Sequence, residues 1–125
     1  MGIRMDVVHI MEGYGILGAG RKILDFGSSN LYGATAEQII AFVKRHNANP
    51  RADLESWAAR LAAGSGTDAG GTNLNGSFFG ELIEEAGMGY DAIDIADGYK
   101  TTIVDLNSMR LPDHMVGAYD SVINC

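Results

Sequence analysis

Lys22-Ile23-Leu24-Asp25-Phe26-Gly27-Ser28-Ser29-Asn30-Leu31-Tyr32-Gly33 is the stretch whose reading decides the fold. It opens on a short apolar run, Ile23 to Phe26, bounded by a charge at Lys22 and by Gly27. Few residues, apolar on both faces, then a sharp turn: that is the pattern of a buried parallel strand. Small polar residues follow Gly27, a second glycine stands at Gly33, and a helix is expected from about Thr35. Strand, glycine turn and helix together make an opening for a nucleotide. The glycine lets the backbone come close to a ligand, and the helix N-terminus offers free N–H groups to its polar part. The full G-x-G-x-x-G is absent, because Ser29 stands where a second glycine would be. The competing reading is an ordinary strand-to-helix turn.

Working outward, residues 6 to 17 place Val7, Ile10, Met11 and Tyr14 at helical spacing, which predicts an amphipathic helix packed on a sheet. After the turn, Thr35-Ala36-Glu37-Gln38 has the spacing of a capping box. Lys44, Arg45 and His46 suit the far end of that helix dipole. Ala36, Ile39, Ile40 and Val43 form its apolar stripe. A second helix is expected from Asp53 to Ala63, with Leu54, Trp57, Ala58 and Leu61 on one face. Gly64 to Gly76 reads as a loop, and Ser77 to Ala86 as a third helix with Phe78, Phe79, Leu82, Ile83 and Ala86 buried. Three more strands follow: Tyr90 to Ile95, the β-branched run Thr101 to Val104, and Tyr119 to Cys125. Leu111 to His114 reads as a loop around Pro112.

The 125 residues suit one domain, residues 1–125, with one core. The net charge of −7 argues against nucleic acid and against an anionic membrane surface, since both need clustered Lys and Arg. The one cysteine, Cys125, excludes an intrachain disulfide and a Cys-based zinc site. His9, His46 and His114 show no metal-ligand spacing. No apolar run reaches the length of a membrane span, and Asp6, His9 and Glu12 interrupt any signal-peptide core. A cytoplasmic protein is expected.

Two acids stand where strand ends meet ligands in α/β sheets. Asp94 closes the second strand, where a carboxylate accepts bonds from ribose hydroxyls. It lies much further from the glycine turn than the usual distance of about 20 residues, and Asp97 competes for the role. Asp105-Leu106 follows the third strand, with Asp105 suited to an adenine amino group and Leu106 to the ring. The alternative for Asp105 is an Asx-turn into Asn107-Ser108.

The order of these signals resembles the class I S-adenosylmethionine-dependent methyltransferases. Ile23-Leu24-Asp25-Phe26-Gly27 is similar to the family's first motif, and Ala92-Ile93-Asp94-Ile95 to its second strand with the ribose acid. Val104-Asp105-Leu106, Leu111-Pro112 and Tyr119-Asp120-Ser121-Val122-Ile123 look like its adenine contact and fourth strand. The resemblance implies a Rossmann-like α/β fold: a mostly parallel sheet with helices on both faces, here the incomplete order 3-2-1-4. It implies S-adenosylmethionine as cofactor. The cofactor-binding set is Asp25, Gly27, Ser28 and Ser29 at the turn, Asp94 and Ile95 after the second strand, and Asp105 with Leu106 after the third. The function it implies is methyl transfer to a small molecule, with the acceptor-binding part missing, no catalytic residue assigned and no metal. An NAD(P)-binding oxidoreductase fragment and a non-catalytic assembly module are the alternatives. In the incomplete sheet Tyr119 to Cys125 becomes an edge without a guarding proline or lysine, so self-association through it is expected.

Overall fold

A computed structural model describes residues 2–66, 76–105, 107 and 111–124. Most of the loop expected between Gly64 and Gly76, together with Leu106 and Cys125, lies outside the described residues.

Among the described residues, four parallel strands form the main sheet. In chain order these are β2 (Lys22–Phe26), β4 (Gly89–Asp94), β5 (Thr101–Ile103) and β6 (Ser121–Asn124). Their spatial order is β5-β4-β2-β6. The apolar run quoted above is thus an inner strand with a neighbour on each side, which is why it carries apolar residues on both faces. Ile23 aligns with Tyr90 and Ser121, and Asp25 with Ala92 and Ile123; these residues share one face. Leu24 and Phe26, with Ile93 and Asn124, share the other.

The helices are α1 (Met5–Gly13), α2 (Ala36–His46), α3 (Leu54–Gly64) and α4 (Phe79–Glu85). Their buried side chains join a single core with Ile23, Tyr90, Ala92 and Ile123. Among the described residues, all helical cover therefore lies on one face, which corrects the expectation of helices on both. The opposite face holds a smaller cluster, Leu24, Ile93, Val104 and Met115, with Phe26, Leu111 and Tyr119 packed against it. The reason lies in the connection that crosses that face from β5 to β6. It carries Pro112, which resists helix formation, and among its described residues it supplies a 3₁₀ turn at Asp113–Met115 and no longer helix.

The helix after the glycine turn forms as its sequence dictates. Thr35 Oγ1 accepts from the Gln38 N–H at 3.2 Å, and Gln38 Oε1 accepts from the Thr35 N–H at 3.0 Å. Ile39, Phe42 and Val43 face the core, each burial contributing about 1.5–3 kcal/mol. In α3, Leu54, Trp57, Ala58 and Leu61 are buried, as the stripe requires. In α4, Gly80 lets the helix lie against the Tyr90 ring: a Cβ there would stand 2.4 Å from Tyr90 Cε1.

The N-terminal segment differs from expectation. A short strand β1 (Gly2–Arg4) pairs in parallel with β3 (Asn30–Tyr32), a second strand the sequence reading did not contain. Helix α1 then buries Met5, Val8 and Met11, and leaves Val7, Ile10 and Tyr14 outside. Val7 and Ile10 extend one apolar stripe toward Tyr14, and Met5, Val8 and Met11 form a second beside it, so spacing alone describes two stripes. Burial of Ile3 in β1 just ahead of the helix accompanies the choice between them. Glu12 ties α1 to α2. It accepts two bonds from Arg45, both at 2.9 Å, and one from His46. Burial pushes the Glu12 carboxyl up, but the bonds and charges of Arg45 and His46 together outweigh it and hold it below the usual carboxylate range.

Candidate functional site at the carboxyl edge of the sheet

The turn after β2 is locked from several sides. Gly27 donates its N–H to the Ile93 carbonyl at 2.8 Å, which fixes the turn to the neighbouring strand. Gly27 has φ 115°, a conformation that glycine adopts freely and other residues do not. Ser28 follows at φ 43°, so two successive left-handed residues reverse the chain. Ser28 Oγ donates to the Tyr99 carbonyl at 3.1 Å, and the Phe79 N–H donates to the Ser29 carbonyl at 2.9 Å.

Asp25 holds this turn from beneath. Its carboxylate is fully buried on the helix-covered face. Oδ2 accepts from the Ser29 N–H and from the Tyr90 hydroxyl, both at 2.8 Å, and Oδ1 accepts from the Ser29 hydroxyl at 3.1 Å. Burial, and then the charge of Asp25, push the Tyr90 phenol far above its ordinary range, so it stays protonated and donates. Asp25 and Ser29 thus spend their polar groups on each other and on Tyr90. Ser28 is buried as well.

A cavity of about 320 Å³ opens at the carboxyl ends of the strands. Gly27 from the end of β2, Asp94 and Ile95 from the end of β4, Val104 and Asn107 from beyond β5, and Asn124 from the end of β6 line it with Phe26 and Ile93. This is the place where open parallel sheets bind ligands. Asp94 Oδ1 accepts from the Ile95 N–H at 2.7 Å, while Oδ2 takes no hydrogen bond among the described residues. Asp97 Oδ1 accepts from the Gly98 N–H at 2.9 Å in the same way, but Asp97 does not line the cavity. Asp105 accepts from the Asn107 N–H at 2.9 Å, the Asx-turn geometry that was its alternative reading. That turn brings Asn107 to the cavity. Leu106 lies outside the described residues.

The structure therefore gathers Gly27, Asp94 and Ile95 of the expected set around one space, and sets Asp25, Ser28 and Ser29 behind the turn as its support. Phe26, Ile93, Val104, Asn107 and Asn124 were not expected there. Asn124 could have been found from register, since it aligns with Phe26, the last residue before the turn. The helix N-terminus expected at the turn is elsewhere. Strand β3 stands between, and the first turn of α2 is already capped by Thr35 and Gln38.

Two other hollows are self-contained. One, about 510 Å³ between α2 and the start of α3, shares no residue with the turn, and its Arg51 is bound to Asp53. Another, about 310 Å³, is walled by Trp57, Tyr99, Glu81, Glu84 and Glu85. There Glu84 holds Tyr99 and Lys100, Glu85 accepts the Arg51 N–H, Glu81 accepts the Phe78 N–H, and Arg51 lies over the Trp57 ring. Among the described residues no group of three or more His, Cys, Asp or Glu could hold a metal ion, and no helix is long and apolar enough to cross a membrane.

Fold and cavity together define an α/β protein with a mostly parallel sheet and a cavity at its carboxyl edge. In comparisons with known proteins, the chain matches no family model, no curated protein and no solved structure.

Proposed function

We propose that the chain is the cofactor-binding portion of an S-adenosylmethionine-dependent methyltransferase of Rossmann-like fold, cytoplasmic and acting on a small molecule. The observation that carries this reading is the lining of the carboxyl-edge cavity. It joins Gly27 to the carboxylate of Asp94, and among its described residues there is no Lys or Arg. A dinucleotide brings a pyrophosphate, which needs basic groups or open helix N–H groups. The α2 N-terminus is self-capped and separated from the turn by β3. A sulfonium brings positive charge and makes no such demand.

In this reading Asp94 accepts bonds from the ribose hydroxyls with the oxygen left free by Ile95. Gly27 offers approach without a Cβ. Ile95 and Val104 give apolar contact, and Asn107, placed by Asp105, stands at the base. Asp25, Ser28 and Ser29 act through the backbone they hold. The cofactor, when bound, supplies a methyl group for in-line displacement, a reaction in which orienting the two reactants is a large part of catalysis.

Thermal-shift titration tests this directly, because a ligand that binds only the folded state stabilises it by about 2.7 kcal/mol at about 100 times Kd. S-adenosylmethionine and its demethylated product are expected to raise Tm, and NAD to leave it unchanged. A shift with NAD alone favours the oxidoreductase alternative, and no shift with any of the three removes the cofactor reading.

A further inference from the structure

We propose that Asp97 is a site of spontaneous rearrangement from aspartate to isoaspartate, and that the rearrangement unlatches the glycine turn. Asp97 is the one aspartate in the sequence that precedes a glycine. It is exposed, and neither it nor Gly98 lies in a helix or strand. The Gly98 N–H is turned back on the Asp97 side chain, where Oδ1 accepts it at 2.9 Å. That contact sets the amide nitrogen against the carboxyl group it would attack, and holding two reacting groups together is what speeds an intramolecular step. Asp6 and Asp94 make the same bond, to Val7 at 2.9 Å and to Ile95 at 2.7 Å. There the nitrogen belongs to a β-branched residue, one inside α1 and one just after β4, and the side chain crowds it. Gly98 brings no Cβ to the reacting nitrogen.

In the first step the Gly98 nitrogen attacks Cγ of the protonated Asp97 carboxyl. The N–Cγ bond forms, the amide proton and the carboxyl hydroxyl leave as water, and a succinimide ring closes. Water then adds to either ring carbonyl. Addition at Cγ breaks the new bond and restores aspartate. Addition at the main-chain carbonyl breaks the old peptide bond, and the chain now runs through Cβ and Cγ. Water is the sole co-reactant, and the net charge is unchanged. The main chain is one methylene longer between Asp97 and Gly98.

That added length falls between two anchors. Asp94 closes β4 on one side. On the other, the Ala92 N–H donates to the Lys100 carbonyl at 3.1 Å, and Glu84 holds the Tyr99 hydroxyl and the Lys100 ammonium. Between the anchors Gly98 rests on the glycine turn: a Cβ on it would stand 2.8 Å from Ser28 Oγ. The same Oγ donates to the Tyr99 carbonyl at 3.1 Å. The longer segment bulges at this contact and parts Ser28 from Tyr99. Gly27, the next residue, then loses a support at the cavity. None of this depends on a cofactor.

The test is to incubate the folded 125-residue chain at neutral pH and physiological temperature in oxygen-labelled water. It is then mapped with a protease that cuts before aspartate but not before isoaspartate. A peptide left uncut at Asp97 and carrying one labelled oxygen is expected to accumulate, several-fold faster than its counterparts at Asp6 and Asp94. Asp97→Glu should stop the reaction, because the extra methylene demands a larger ring. Asp97→Asn should speed it, because a carboxamide is attacked without first taking up a proton. Deamidation of Asn75, ahead of Gly76, changes the net charge and is resolved by isoelectric focusing. The isomerised chain, separated by chromatography, should melt below the parent, with the Gly27 and Ser28 amide resonances displaced. An Asp97 that stays intact in the folded chain, or reacts no faster than Asp6 and Asp94, overturns the proposal. So does an isomerised chain whose Gly27 and Ser28 resonances are those of the parent.

Discussion

Tyr90 donates its hydroxyl to Asp25 Oδ2 at 2.8 Å, from the strand next to the one that carries Asp25. The bond lies in the core and bears on the glycine turn, because the same carboxylate holds Ser29. Tyr90→Phe removes it at little cost in volume. A hydrogen bond to a charged group contributes about 1.5–3 kcal/mol, and a loss in that range is expected in urea unfolding with an unchanged m-value.

The same tyrosine sets an alkaline limit. A phenol whose folded pKa lies above its unfolded value stabilises the protein fully below the unfolded value, near 10.0, and this stability is lost as pH rises beyond it. Tyr119, pushed up to about 12 by burial and then by its bond to Asp91, adds to the trend. Stability should therefore fall above about pH 10, and fall less steeply in Tyr90→Phe. Chemical denaturation across that range is the measurement.

Glu12 sets the corresponding acid limit. Its folded pKa lies below its ordinary 4.5, so its contribution is complete above that value and is lost as pH drops through the lower folded one. Glu12→Gln keeps the shape and removes the titration. Its acid limb should be flatter than that of the parent chain, with Arg45 and His46 loosened from α1.

Gly27 and Asp94 carry the binding reading. Gly27→Val forces a branched side chain to φ 115°, a strain of about 1–3 kcal/mol in a turn held on several sides. Binding of S-adenosylmethionine should disappear while the far-ultraviolet spectrum is retained. Asp94→Ala should weaken it by about 1.5–3 kcal/mol by calorimetry, and Asp97→Ala far less. Equal losses at the two aspartates would remove the ribose role of Asp94.

Gly80 offers a test of packing against propensity. Alanine is the better helix former by about 0.8–1.0 kcal/mol, yet its Cβ would press into the Tyr90 ring. Overpacking costs about 1–3 kcal/mol, so Gly80→Ala should lower Tm despite the helical gain.

How much of this was legible in the sequence depended on whether a signal was local. The Thr35–Gln38 cap, the Leu54–Trp57–Ala58–Leu61 stripe and the four strands of the main sheet follow from spacing within a few residues, and each is found within two residues of its expected bounds. The β1–β3 pair was invisible, because each strand has only three residues and its identity rests on a partner elsewhere in the chain. The phase of α1 does not follow from spacing, because two apolar stripes lie side by side on it. At the site, Asp94 was readable as an acid at a strand end. Asp25 read as a ligand contact because its motif says nothing of Tyr90, whose hydroxyl claims it from another strand. Asn107 entered the cavity through an Asx-turn whose side-chain bond was recognised as an alternative, but without its consequence for the next polar residue.

The position of β2 between β4 and β6 has a consequence for the order of folding. One neighbour of Lys22–Phe26 is Gly89–Asp94, and the other is Ser121–Asn124. During synthesis the strand that carries the turn leaves the ribosome long before either partner exists. Until Gly89–Asp94 has been made, its apolar residues have only the intervening helices to lean on. Contacts between segments so far apart are slow to form, because loop-closure entropy is spent before any pairing returns it. Until β6 arrives, the growing chain exposes an inner strand with one side open, the state in which parallel sheets are most prone to join the wrong neighbour.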